Sequence, residues 1–289
     1  MLALVVLFWG LNWPIMKLGL QYVTPIWFAA TRMFLGAICL FLFLALQGKV
    51  TRFSRHELPI VFIVSFFQIA LPASLIHTGL SYLEAGRSAI LVFTMPLWVA
   101  PMAVLFLGER LTKTNLAGLF FGLGGIAVMF NPLIFDITDR NALIGNGLMI
   151  LASFSFALAI ILIRRHSWTR PIIQFIPWQM LLGSGLLVVA ATVIEGPPNF
   201  TWSPELIAIM AYNGPIASGF AFWAYVSVSS NLSAMSTSLG SMGIPVLGVT
   251  SSTVLLGESL SLTMILGLSL ISIGVLAVTI RDLKQLRSA

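Results

Sequence analysis

Apolar stretches follow one another along almost the whole chain, separated by short segments that collect the charged and turn-forming residues. About 20 apolar residues in a helix reach across the hydrocarbon core of a bilayer. The windows 2–20, 25–46, 58–82, 85–107 and 113–131, then 143–164, 171–194, 204–228, 233–256 and 262–281, each meet that length. Within lipid every backbone N–H and C=O must find a partner inside the protein, which a helix achieves segment by segment. The expectation is therefore an all-α membrane protein with ten transmembrane helices. With 58% apolar and 8% charged residues, the chain has too little polar surface for a soluble domain of its size. The first window starts at Met1 without basic residues and runs into Trp9-Gly10-Leu11-Asn12-Trp13-Pro14 with no small-residue cleavage site. It reads as the first membrane helix and not as a removable signal.

The net charge of +6 is spread one or a few residues per loop, without the clustered basic face that a nucleic acid requires, so no nucleic-acid partner is expected. Short cytoplasmic loops retain Lys and Arg. A cytoplasmic N-terminus places Lys49, Arg52, Arg55, Arg110, Lys113, Arg164, Arg165, Arg170, Arg281, Lys284 and Arg287 inside, and Glu84, Asp136, Asp139, Glu195, Glu205 and Glu258 outside. Both termini are expected in the cytoplasm of a bacterial cell, the chain sitting in the inner membrane. Cys39 is the only cysteine, which rules out an intrachain disulfide, and neither cysteine nor carboxylate stands at ligand spacing to a histidine. No metal and no cofactor are expected.

The chain repeats itself. Residues 85–129 lie on 234–278 without a gap: Pro96 falls on Pro245, Gly108-Glu109 on Gly257-Glu258, Leu111 on Leu260, Gly118 on Gly267 and Gly125 on Gly274. Five helices per copy is an odd number, so the second copy must enter the membrane from the opposite side. The expected organisation is a first repeat over 1–131, a connector 132–142, an inverted second repeat over 143–281 and a cytoplasmic tail 282–289, with a central cavity between the repeats. Inverted repeats of this kind are built around midplane substrate sites in secondary transporters.

These residues resemble the drug/metabolite transporter superfamily, in particular its EamA-type ten-helix members. The resemblance rests on Trp9-Gly10-Leu11-Asn12-Trp13, on Arg32, on Pro96 with Gly108-Glu109-Arg110-Leu111, and on their counterparts Pro245 and Gly257-Glu258-Ser259-Leu260. It implies a central cavity lined mostly by the first, third, fourth, sixth, eighth and ninth helices. The aromatic content is also similar to that of exporters of aromatic amino acids.

Polar groups inside a bilayer are costly, which makes each a functional candidate. Asn12 shares a helix face with Trp9 and Met16. It can bind a substrate carboxylate or amine, or tie two helices together. His77, five residues before Tyr82, can offer an N–H or titrate. Trp98, one turn from Thr94 and Met102, and Trp223 are deep enough to stack on a substrate. Ser155, next to Ser153 on the sixth helix, and Ser241, next to Ser238 before Pro245, complete the substrate-binding set Trp9, Asn12, His77, Tyr82, Trp98, Ser155, Trp223 and Ser241. Pro14, Pro96, Pro101, Pro215 and Pro245, together with Pro72, interrupt helix interiors and are candidate hinges or gates. Arg32 is expected to reach the interface or Glu84, and Arg87 to pair with Glu84, both in structural or gating roles.

The function expected from this pattern is alternating-access export of small amphiphilic metabolites, chiefly aromatic or other apolar amino acids, by a monomer that meets only its substrate and the lipid. Export of organic cations or drugs is the alternative. A membrane-embedded enzyme would need an acid to orient His77 beside Ser74 or Ser81, and the sequence supplies none nearby. A passive channel is the third possibility, to be told from a carrier by counterflow.

Overall fold

In the computed structural model, residues 1–51, 53–108, 113–129, 139–166, 172–231 and 243–288 are described. They run as helices α1 (Leu2–Gly19), α2 (Pro25–Leu46), α3 (Leu58–Tyr82), α4 (Ala85–Leu107), α5 (Lys113–Met129), α6 (Arg140–Arg165), α7 (Ile176–Ile194), α8 (204–231), α9 (Gly243–Leu256) and α10 (Leu262–Ser288). Seven of them, α1 to α4 and α6 to α8, are long and apolar enough to cross a membrane; Leu116–Met129, Gly243–Leu256 and Leu262–Gly274 are shorter apolar helices. The protein is an integral, multi-pass membrane protein.

Several elements depart from straight rods where the sequence gives a reason. Helix α4 ends its first piece at Val92 and restarts at Met95, because Pro96 lacks an N–H and its ring crowds the carbonyl four residues back. Helices α3 and α8 carry π-helical segments, Ser65–Ala70 ahead of Pro72 and Tyr212–Phe220 around Pro215. Helix α6 starts at Arg140, inside the expected connector, because the Asp139 carboxylate caps it by accepting from the backbone N–H groups of Asn141 and Ala142. The expected tail is also helical: α10 continues to Ser288.

Features recur between the first and second halves. Among the described residues the positive-φ glycines are Gly48, Gly108, Gly196 and Gly257, and Gly108 and Gly257, at φ 68° and 69°, close α4 and α9 at corresponding positions. The π-helical segments begin at Ser65 and Tyr212. Packing partners recur as well: α1 lies on α9 as α6 lies on α4, α2 on α8 as α7 on α3, and α3 on α6 as α8 on α1. Pairs α2–α7, α4–α9 and α5–α10 join like to like.

Lipid is as apolar as a leucine side chain, so these helices are held by close packing and hydrogen bonds, not by hydrophobic burial. The α5–α10 pair is tightest. A Cβ built on Gly274 would lie 2.5 Å from the Gly118 carbonyl oxygen, and one on Gly125 2.9 Å from that of Gly267. Two clusters of buried side chains flank the bundle centre, one around Phe28, Leu80, Ile90 and Met149, the other around Met33, Ile69, Met180 and Leu187.

Candidate functional site

Between the clusters lies a cavity of about 330 Å³, a size suited to a small molecule. Its wall is mostly apolar and aromatic: Trp9, Trp13 and Met16 from α1, Met33 from α2, Ile76 from α3, Phe93, Met95 and Pro96 from α4, Phe156 and Ile160 from α6, Phe222 and Tyr225 from α8, and Ile244 and Pro245 from α9. The polar groups in it are Asn12, Arg32, Gln68, His77 and Ser272, with no acidic side chain among them. Beyond the six helices anticipated from the family resemblance, α2 and α10 contribute, the latter through Leu268, Ile271 and Ser272.

Trp9 stands at 5.1 Å from the Tyr225 ring and 5.6 Å from the Phe222 ring, and its indole N–H donates to the Ala217 carbonyl at 2.9 Å. That bond fixes the indole plane while its face stays on the cavity. Asn12, 4% exposed, has no hydrogen-bond partner for its Oδ1 among the described residues. His77 is buried with Nδ1 at 2.6 Å from the Ala73 carbonyl, which makes Nδ1 the donor, and Nε2 turns its lone pair to Arg32 Nη1 at 3.4 Å. The N–H expected for a substrate is thus already used within α3.

Arg32 is the main correction. It reaches neither the interface nor Glu84 but is buried in the cavity wall, donating from Nε to Ser218 Oγ at 3.0 Å and from Nη1 to Met16 Sδ at 2.7 Å. Arg87 donates to Asn146 Oδ1 and to the Met129 carbonyl, each at 2.8 Å, and stays close enough to Glu84 for the two charges to attract.

Other expected ligands lie elsewhere. Tyr82 is 42% exposed at the end of α3, because five residues turn a helix by roughly 140° away from His77. Trp98 packs on α6 against Phe154 with Met102, Ala103, Ala157 and Ile161, and its buried N–H has no partner among the described residues. The extra residue of the π turn rotates the end of α8, so Phe222 and Tyr225 face the cavity while Trp223 meets Phe43 and Phe220. Ser155 donates to the Phe67 carbonyl at 2.7 Å; the π-helical donor for that carbonyl would be residue 72, a proline without an N–H. Ser153 pairs with Thr94 at the α4 break. Ser241 and Ser238 fall outside the described residues. Of the prolines, Pro96 and Pro245 touch the cavity, whereas Pro14 and Pro101 lie inside α1 and α4 and Pro215 in the π segment of α8.

One end of the bundle is tied across by polar contacts. Glu258, at the end of α9, accepts from the N–H groups of Ala85 and Gly86 at 2.6 and 2.9 Å, capping α4. Glu195, at the end of α7, accepts from Thr24 Oγ1 and the N–H groups of Ile26 and Trp27. Lys17 donates to the Leu80 and Leu83 carbonyls at the end of α3, and Val23 pairs with Phe200 between loops. Carboxylates over helix N-termini and an ammonium over a C-terminus all match the helix dipoles. At the same rim, displacement of water by the surrounding protein, and then the Glu258 carboxylate, push the Glu84 carboxyl up; Arg87 and Lys17 oppose the shift.

A cavity of this size inside a multi-pass membrane bundle, walled by aromatics and floored by a few polar groups, belongs to a protein that handles small molecules within the bilayer. The chain belongs to the EamA-like transporter family of the drug/metabolite transporter superfamily: the family profile matches residues 1–131 and again residues 143–280. Relatives include the "Uncharacterized transporter YoaV" of Bacillus subtilis, 28% identical over 94% of this chain and 92% of that one. The "Probable amino-acid metabolite efflux pump" of Escherichia coli is 25% identical over 94% of this chain and 91% of its own. A protein of known crystal structure, 17% identical, superposes with a TM-score of 0.67 over 97% of each chain and shares the fold.

Proposed function

We propose that this transporter exports small amphiphilic metabolites, chiefly amino acids with aromatic or other apolar side chains, by alternating access between two inverted five-helix repeats. The recurrence of positive-φ glycines, π segments and packing partners between the halves supports an inverted ten-helix arrangement, with α5, α9 and α10 also crossing the membrane. The carrying observation is a cavity shared by both halves and backed by one tied end of the bundle. A sealed end favours a carrier over a pore, since a pore must be open at both. By the distribution of Lys and Arg, the tied end faces outward and both termini lie in the cytoplasm of a bacterial inner membrane.

In this reading Glu258 is the latch of the outer end, and Pro96 with Pro245 are the hinges beside the cavity. By the sequence register of the repeat, Glu109 and Ala234 correspond to Glu258 and Ala85. The Escherichia coli relative, whose name mentions amino-acid metabolite efflux, supports the substrate class. Trp9 and Asn12 remain the substrate contacts in this proposal, while His77 lines the cavity with both ring nitrogens already engaged. The test is counterflow in proteoliposomes: vesicles loaded with unlabelled L-phenylalanine should take up the labelled amino acid faster than empty ones, with saturation. Linear flux without trans-stimulation would refute a carrier.

A further inference from the structure

We infer that Arg32 and Asn12 form a clamp for the two charged ends of a zwitterionic α-amino acid, Arg32 holding the carboxylate and Asn12 the ammonium. The inference rests on the amino-acid transport proposed above and names the groups that select for it.

Arg32 carries its charge into the cavity wall at 7% exposure, and no acidic side chain among the described residues pairs with it. Its partners are a hydroxyl, a thioether and a neutral imidazole. None of them neutralises the guanidinium, and Nη2 takes part in none of these bonds. A guanidinium held in a water-poor site without a counter-ion is costly, and the cost is relieved when an anion arrives. The planar Nη1/Nη2 edge matches a carboxylate in bidentate geometry, and the contacts already made by Nη1, to the Met16 sulfur and the His77 ring, are both to uncharged groups. His77, its Nδ1 held by Ala73 and its Nε2 lone pair toward Nη1, keeps the guanidinium in that plane as a positioning residue.

The second group is placed by the α1 helix. Asn12 precedes Met16 by one turn, about 6 Å of rise, Met16 touches Arg32, and Asn12 and Arg32 line the same cavity, with Asn12 Oδ1 finding no hydrogen-bond donor among the described residues. A buried carbonyl oxygen without a donor calls for an N–H, and the ammonium of an α-amino acid bound through its carboxylate supplies one. Trp9 continues the same face of α1, and with Phe222 and Tyr225 it offers the side chain an aromatic wall. The set reads along α1 as carboxylate, ammonium, apolar side chain. An organic cation would find the ammonium site and the aromatic wall but would face the guanidinium.

Competition against labelled L-phenylalanine in proteoliposomes of the unaltered protein tests this without any substitution. L-phenylalaninamide and phenethylamine, which keep the ammonium and the ring but lack the carboxylate, should compete at least about a hundredfold more weakly, since a site built to bind a polar group rejects an analogue without it by roughly 10⁴-fold or more. Hydrocinnamic acid, which lacks the ammonium, should also compete weakly. Arg32→Gln should abolish counterflow and Arg32→Lys should restore part of it, at matched levels of folded protein. Equal competition by phenylalanine and phenethylamine, with saturable counterflow intact, would overturn the clamp and leave the transport proposal standing. Absence of saturable flux for every amino acid tried would overturn both.

Discussion

Glu258→Ala tests the sealed end most directly. The carboxylate accepts two backbone N–H groups at the start of α4, at 2.6 and 2.9 Å. Hydrogen bonds to a charged acceptor contribute roughly 1.5–3 kcal/mol each. Charge at a helix N-terminus adds about 0.3–1 kcal/mol. Glu258 is only half-buried, so water recovers much of this when the end opens; we take a net loss of about 2 kcal/mol, which shifts the ratio of closed to open ends by roughly thirtyfold. Glu258→Gln should fall between, because its amide keeps one acceptor and turns a donor toward the other N–H. The assay is maleimide labelling of a cysteine placed at Leu83, a buried position at this end, in a Cys39→Ala background that removes the native thiol. The labelling rate from the outer face should rise about tenfold or more in Glu258→Ala if opening limits access. An unchanged rate, with counterflow also unchanged, would show that Glu258 caps α4 without controlling access.

Other substitutions separate cavity from scaffold. Trp9→Ala should cut counterflow of phenylalanine severely, because it removes an aromatic wall, whereas Trp98→Phe, changed away from the cavity, should leave flux near that of the parent; both are read by initial rates at equal protein levels. Gly274→Ala forces a methyl against the Gly118 carbonyl oxygen, and overpacking of this kind costs about 1–3 kcal/mol. A lowered melting temperature in detergent checks it. Glu84 has its pKa raised in the sealed end relative to free solution, so that end binds its proton more tightly. Acidification through the ordinary carboxylate range should therefore favour the sealed end, and rising pH should weaken it. Labelling at Leu83→Cys should slow as pH falls, after correction for thiol reactivity, and Glu84→Gln should abolish the trend.

Much of the helix layout could be read from the sequence because the bilayer imposes a length and a composition on each segment, and the repeat of Pro96 with Gly108 onto Pro245 with Gly257 could be read because identical turns demand identical residues. Asn12 and Trp9 were legible as cavity residues since they share one unbroken face of α1. The reading failed where periodicity was interrupted. Trp223 follows a π turn that rotates it away, and Trp98 follows the Phe93–Thr94 break that turns it onto α6. Tyr82 was paired with His77 at a spacing that does not share a helix face. Arg32 was visible as a charge in an apolar run, yet its rotamer was not: an arginine near a helix end can reach outward to water or inward to Ser218, and only the three-dimensional neighbourhood decides. Gln68, Phe222 and Tyr225 carried no signal of their own, since an amide or a ring in a membrane helix is as common in packing as in binding.

The glycine seam between α5 and α10 has a consequence for assembly. Each half of the chain that matches the family supplies one of these helices, and their backbones touch where Gly118, Gly122 and Gly125 face Gly267 and Gly274. A contact of that kind leaves no room for sliding and is formed without help from the covalent link between repeats. Two polypeptides cut within residues 132–138 should accordingly find each other in the membrane and rebuild a working protein, the link serving stoichiometry and not cohesion.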